Sequence, residues 1–137
     1  MASLVKNGMD RYLRVAQSYM YHTGESIKRY RQHKLNNDKN SACIYIGKVV
    51  KNLLKARAVE YTSLAYLDLD LSIREIVGLI KRNGELEAPE FITRELNNIK
   101  HWDKLTDTRG IDVSYIERWY AEVSDWYIEL DKEMRRY

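Results

Sequence analysis

A single cysteine, one proline and six glycines in 137 residues leave few ways to staple or interrupt this chain. Cys43 alone permits no internal disulfide, and no Cys/His cluster has the spacing of a structural zinc site, so disulfide scaffolds and zinc fingers are excluded. No run approaches the ~20 apolar residues that cross a bilayer, and the opening MASLVKNGMDRYLR puts charges where a secretory signal needs an apolar stretch. The expected location is the reducing cytoplasm, with no membrane partner. Scarce proline and glycine also argue against a many-stranded β fold, which needs frequent turns. No glycine-rich phosphate loop is present: Gly24, Gly47 and Gly78 are isolated within helical patterns, and Gly84 and Gly110 mark turns. Asp68, Asp70, Glu85, Glu87 and Glu90 lack the register of an EF-hand or of paired Glu-x-x-His motifs, so neither metal nor cofactor is expected. Cys43 has no His at a diagnostic position and reads as a small buried apolar residue.

What is present is a 45% hydrophobic, 31% charged chain without internal repeats or linkers, enough for one domain over residues 1–137. Three-to-four spacing of Met9, Leu13, Ala16, Met20 and Ile27 predicts a helix from Leu4 to Gln32, in which Gly24 is either a close-packing spot or an end. Lys34–Asn40 reads as a loop, and Ile46, Val49, Val50, Leu53, Leu54, Tyr61 and Leu64 mark a second long helix. Ser72 and Glu75 form a capping box before a short helix with Ile73, Ile76, Val77 and Ile80, which Asn83–Gly84 closes. Pro89 suits the first turn of a fourth helix running to Leu105. After a turn at Arg109–Gly110, Ser114 and Glu117 repeat the capping-box spacing before Ile116, Tyr120, Val123, Tyr127, Leu130 and Met134. The expected fold is all-α, an antiparallel bundle of four main helices plus one short helix. Covering Trp102, Trp119, Tyr120, Trp126 and Tyr127 at once strains so small a monomer, which points to a homo-oligomer.

Charge is unevenly placed. Residues 1–61 carry twelve Lys/Arg against four Asp/Glu, a surplus of eight, while residues 62–137 carry eleven against sixteen, a deficit of five. A basic half attracts polyanions through salt-sensitive phosphate contacts; the alternative is neutralisation between helices of one chain. Within that half, Lys28, Arg29, Tyr30, Arg31 and Lys34 combine phosphate-gripping cations with a stacking ring. Lys48, Lys51 and Lys55 fall along one helix face, where three ammonium groups can follow a phosphate backbone.

The segment Arg94-Glu95-Leu96-Asn97-Asn98-Ile99-Lys100-His101 is the candidate for chemistry. Seven helical positions place Arg94 and His101 within about 20° of each other around the axis, beside Asn98, with Ile92, Leu96 and Ile99 opposite. Arg holds phosphate bidentately, and a His titrating near neutrality moves a proton at a ribose hydroxyl or a leaving oxygen without a metal. Unbroken helix would also separate the two by about 10 Å along the axis, so a shared phosphate needs a bend, converging side chains or a symmetry partner. Glu95 puts a carboxylate next to that phosphate, and an ion pair of Arg94 with Glu90 or Glu95 is the plain alternative.

In this segment the sequence resembles the HEPN family of small α-helical toxin and defence domains, whose signature is Arg, four to six intervening residues, then His. Arg94 and His101 have six residues between them, and NNIKH followed by a charged stretch and a last amphipathic helix looks like that family's C-terminal half. The resemblance implies a helical bundle over residues 10–134, an Arg94/His101 pair at a dimer cleft, and either metal-independent RNA cleavage or RNA binding alone. A second reading is a nonenzymatic nucleic-acid-binding or assembly protein of viral or mobile-element type, virion-associated rather than cytoplasmic, that contacts phosphates through its basic first half.

Overall fold

The computed structural model describes residues 2–82, 90–104 and 107–137, and every regular element among them is helical. In chain order these are α1 (Ala2–His33), α2 (Asn36–Ala58), α3 (Leu64–Leu67), α4 (Ile73–Arg82), α5 (Glu90–Arg94), α6 (Leu96–Ile99), a 3₁₀ turn at Trp102–Lys104, and α7 (Val113–Met134). The chain forms the all-α bundle expected from its periodicity, and among the described residues α1, α2 and α7 are the longest helices.

Helix α1 buries Met9, Tyr12, Leu13, Ala16 and Ile27 along one side. Gly24 does not end it; a Cβ there would lie 2.8 Å from the Tyr120 hydroxyl, so the residue is a close-packing point. The helix stops where Lys34 takes φ 56°, its N–H donating to the Tyr30 carbonyl at 2.8 Å. That left-handed residue closes the helix as glycine usually does. The expected loop at Lys34–Asn40 contracts to two residues, because the polar run Asn36–Asn40 already belongs to α2. Asp38 sits in the first turn of that helix, at the positive end of its dipole.

So short a connection forces α1 and α2 antiparallel. His22 meets Tyr45, Lys48 lies over Tyr19 and Lys55 over Tyr12, so one number falls as the other rises. Helix α7 completes the layer antiparallel to α1, with Arg31 bonded to Glu117 near one end and Gly24 against Tyr120 further along. It runs parallel to α2, joined by Thr108 to Asn40 at the start and by Arg57 to Glu133 at the finish. Between them Ile46, Val49, Val50, Leu53 and Leu54 from α2 are wholly buried, as are Ile116, Trp119 and Val123 from α7. Each such side chain contributes roughly 1.5–3 kcal/mol by leaving water.

Helix α2 ends at Ala58, six residues short of Leu64. Val59, Tyr61 and Thr62 are weak helix formers, the Tyr61 N–H closes a turn onto the Ala58 carbonyl, and Ser63 starts α3 by accepting from the Tyr66 N–H. The Ser72–Glu75 capping box forms in both directions, at 3.1 and 3.2 Å. The expected stop at Asn83–Gly84 lies outside the described residues.

The fourth long helix is broken. Pro89 and Leu105 lie outside the described residues, and between them the chain makes α5, a turn residue at Glu95, α6, and a further turn before Trp102. Thr93, Asn97, Asn98 and His101 are poor helix formers, and docking decides the path. Gly47 of α2 lets the backbone of Trp102 and Asp103 lie directly on the helix, with Trp102 buried. The last helix also starts differently from the capping-box expectation: Asp112, not Ser114, is the N-cap, its carboxylate accepting from the Ser114 N–H at 2.8 Å. Glu117 is drawn to Arg31 instead.

The three tryptophans are buried within one chain. Trp119 packs edge-on against Phe91 and tilted against Trp102, with ring centres 5.1 and 6.2 Å apart, while Tyr120 and Tyr127 are partly covered. The tryptophans thus find their cover internally, while Tyr120 and Tyr127 keep part of their surface.

Candidate nucleic-acid interface

The cations of the basic half are distributed by what packs against them. Arg29 pairs with Asp38 at 3.1 Å, and Arg31 with Glu117. Lys51 inserts between Asp103 at 2.8 Å and Asp70 at 3.7 Å. Its neighbours in the lysine row turn to rings instead: Lys48 lies 5.4 Å from the Tyr19 centroid and Lys55 5.8 Å from that of Tyr12. Burial, then repulsion from Lys51, lowers the Lys55 pKa. Lys34 and Lys39 flank the Tyr30 ring at 5.4 and 5.6 Å, and Lys28 is exposed. Of the eight proposed phosphate contacts, therefore, Arg29, Arg31 and Lys51 already hold carboxylates. Arg11 with Asp68 and Arg57 with Glu133 repeat the pattern, so later elements cancel much of the early surplus.

The broken segment is arranged differently. Ile92 and Ile99 are wholly buried, whereas Arg94, Asn98 and His101 are exposed, the partition expected of a segment docked on its apolar side. Arg94 ends α5 and His101 stands in the turn before Trp102, so the seven-residue span is a stepped path rather than one cylinder. Neither side chain makes a hydrogen bond or ion pair with another described residue, and nothing joins the two to each other. Glu95, the carboxylate beside Arg94, is taken by Arg118 at 2.5 Å and is mostly buried. Arg118 in turn lies 4.9 Å from the Tyr115 ring centre. The Glu95 carboxylate beside any phosphate held by Arg94 is thus offset by an arginine from α7.

Beside this face lies an open cleft of about 430 Å³, lined by Asn98, Trp102, Gly110, Ile111, Asp112 and Tyr115. Asn98 Nδ2 donates to the Tyr115 hydroxyl at 3.4 Å across its edge. Asp112 is held below the usual carboxylate range, first by the Ser114 backbone N–H. The cleft thus offers an amide and a phenol, while Arg94 and His101 are exposed outside its lining. Tyr115 and Arg118 escape sequence reasoning because no local spacing ties them to Arg94; only the seating of α7 against α5 and α6 does. No group of three His, Cys, Asp or Glu side chains suited to a metal occurs among the described residues, and none of their helices is long and apolar enough to cross a membrane.

Fold and site together define a class, the all-α helical bundles. Within it the chain matches no protein-family model, no curated protein and no solved structure.

Proposed function

We propose that this is an RNA-directed helical domain, HEPN-like in its use of Arg94 and His101, which engages its ligand on the α5–α6 face. The observation that carries the reading is the pairing of Glu95 with Arg118, which offsets the carboxylate adjacent to Arg94, while Arg94 and His101 are exposed and Asn98 between them lines a cleft. Arg94 holds a phosphate, and His101 takes the proton from a ribose hydroxyl or returns one to the leaving oxygen. The interrupted helix supports this by removing the rigid spacing of a continuous one. The test is labelled RNA incubated with the full chain in chelator. Cleavage is expected, with His101→Ala abolishing it while helix content and RNA affinity survive; cleavage undiminished in His101→Ala removes the catalytic role.

The second reading, nonenzymatic binding through the first half, draws support from exposed Lys28 and Lys34 at the end of α1. Under it, neutralising those two lowers affinity and flattens its salt dependence, whereas His101→Ala changes nothing.

A further inference from the structure

On the α1–α2 seam a row of rings runs outward to an exposed end. Tyr19 stacks on Tyr45 with centroids 5.9 Å apart and planes 26° from parallel. His22 lies 5.4 Å from Tyr45 on its other flank, and Tyr21 sits edge-on to His22 at 5.6 Å. Lys48 caps the row over Tyr19. Tyr19 and Tyr45 are mostly covered, but burial does not account for the outer end of the row: Tyr21 is 66% exposed and His22 is exposed. Aromatic side chains gathered at a surface mark a place where something else docks.

The surrounding charge says what kind of partner fits. Between Arg11 and His33 the only acidic residue is Glu25, and between Lys39 and Val59 there is none. Carboxylates arriving from other elements go to Arg11, Arg29, Arg31, Lys51 and Arg57, none to these rings or to Lys48 among the described residues. Lys28, seven positions beyond Tyr21 and so within about 20° of it around α1, is exposed at the same side. Rings in a row with ammonium groups beside them match the two features of an unpaired strand, flat base faces and a phosphate chain. A duplex hides its base faces and gains nothing from them.

We infer that Tyr21 and His22 form a stacking platform for the bases of single-stranded RNA, backed by Tyr45 and Tyr19, with Lys48 and Lys28 meeting its phosphates. The inference rests on the RNA-directed reading above but uses a different face of the molecule. Its test is anisotropy of a fluorescent oligouridylate of about 12 nucleotides, titrated with the full chain and compared with an RNA duplex of the same length. The single strand is expected to bind more tightly, and Tyr21→Ala with His22→Ala to weaken it by about tenfold or more, with duplex binding unchanged. Replacing both by Phe keeps the rings and should keep the affinity, and Glu25→Gln should tighten binding. An alanine pair that binds like the parent overturns the platform, and the RNA-directed reading then stands if Arg94→Ala alone weakens binding. Loss with the alanine pair but none with Arg94→Ala and no effect of His101→Ala overturns the α5–α6 reading and leaves the platform. A parent chain that binds no RNA overturns both.

Discussion

A methyl group at residue 47 would run into the Asp103 backbone nitrogen and lie 2.8 Å from the Trp102 carbonyl carbon, whereas one at residue 78 would meet nothing within 4 Å. The same substitution therefore has opposite signs at two mid-helix glycines. Gly47→Ala should lower stability by about 1–3 kcal/mol through overpacking. Gly78→Ala should raise it by roughly 0.5–1 kcal/mol by restricting the unfolded chain and favouring the helix, both read from thermal unfolding. In sequence these glycines look alike, since the difference is made by a backbone that arrives from 55 residues further on. Cys43 was legible: it is buried, and burial pushes its thiol up to about 12. A disulfide reagent near neutral pH should modify it only after denaturation. Burial, then the hydrogen bond to Asp68, raises Tyr12 to about 12 from 10.0. The folded state thus favours the neutral phenol, so this stabilisation is complete below pH 10 and is lost as pH rises toward 12. Denaturant midpoints should fall across that window and fall less in Tyr12→Phe.

At the scale of elements, two identical spacings had different fates. Ser72 and Glu75 cap α4 reciprocally, while Ser114 and Glu117 do not cap α7. The cause is one local residue and one distant one: Asp112 supplies a carboxylate two positions earlier, and Arg31 from α1 captures Glu117. Asp112→Ala should therefore lower the melting temperature, with Ser114→Ala close to neutral and Ser72→Ala destabilising. Because its N–H partner depresses the Asp112 pKa, its contribution is present above the ordinary carboxylate range and fades as pH falls below about 4. Long periodic stretches such as α1 and α7 were readable because their apolar stripes persist over many turns. The segment around Arg94 was not, since its weak propensity yields to the docking of Trp102 and of the backbone at Gly47. Its buried and exposed sides were still legible, Ile92 and Ile99 inward and Arg94 and His101 outward.

For the whole molecule, composition showed the two halves of opposite charge but not where each charge would go. Packing assigns Glu117, Glu133, Asp68 and Asp103 to cations of the first half, which removes Arg31, Arg57, Arg11 and Lys51 from any uncancelled surface. The proposed polyanion contacts are then local: the α5–α6 face with Arg94 and His101, and the ring row with Lys48 and Lys28. Such a molecule uses few phosphate contacts, so its affinity should fall with a shallow salt slope, about two to four in log–log terms rather than the ten of an extended basic groove. The measurement that decides is titration of labelled single-stranded RNA with the full chain at low and moderate salt in the presence of chelator. The account predicts saturable binding that weakens modestly with salt, and no binding at either salt would contradict it.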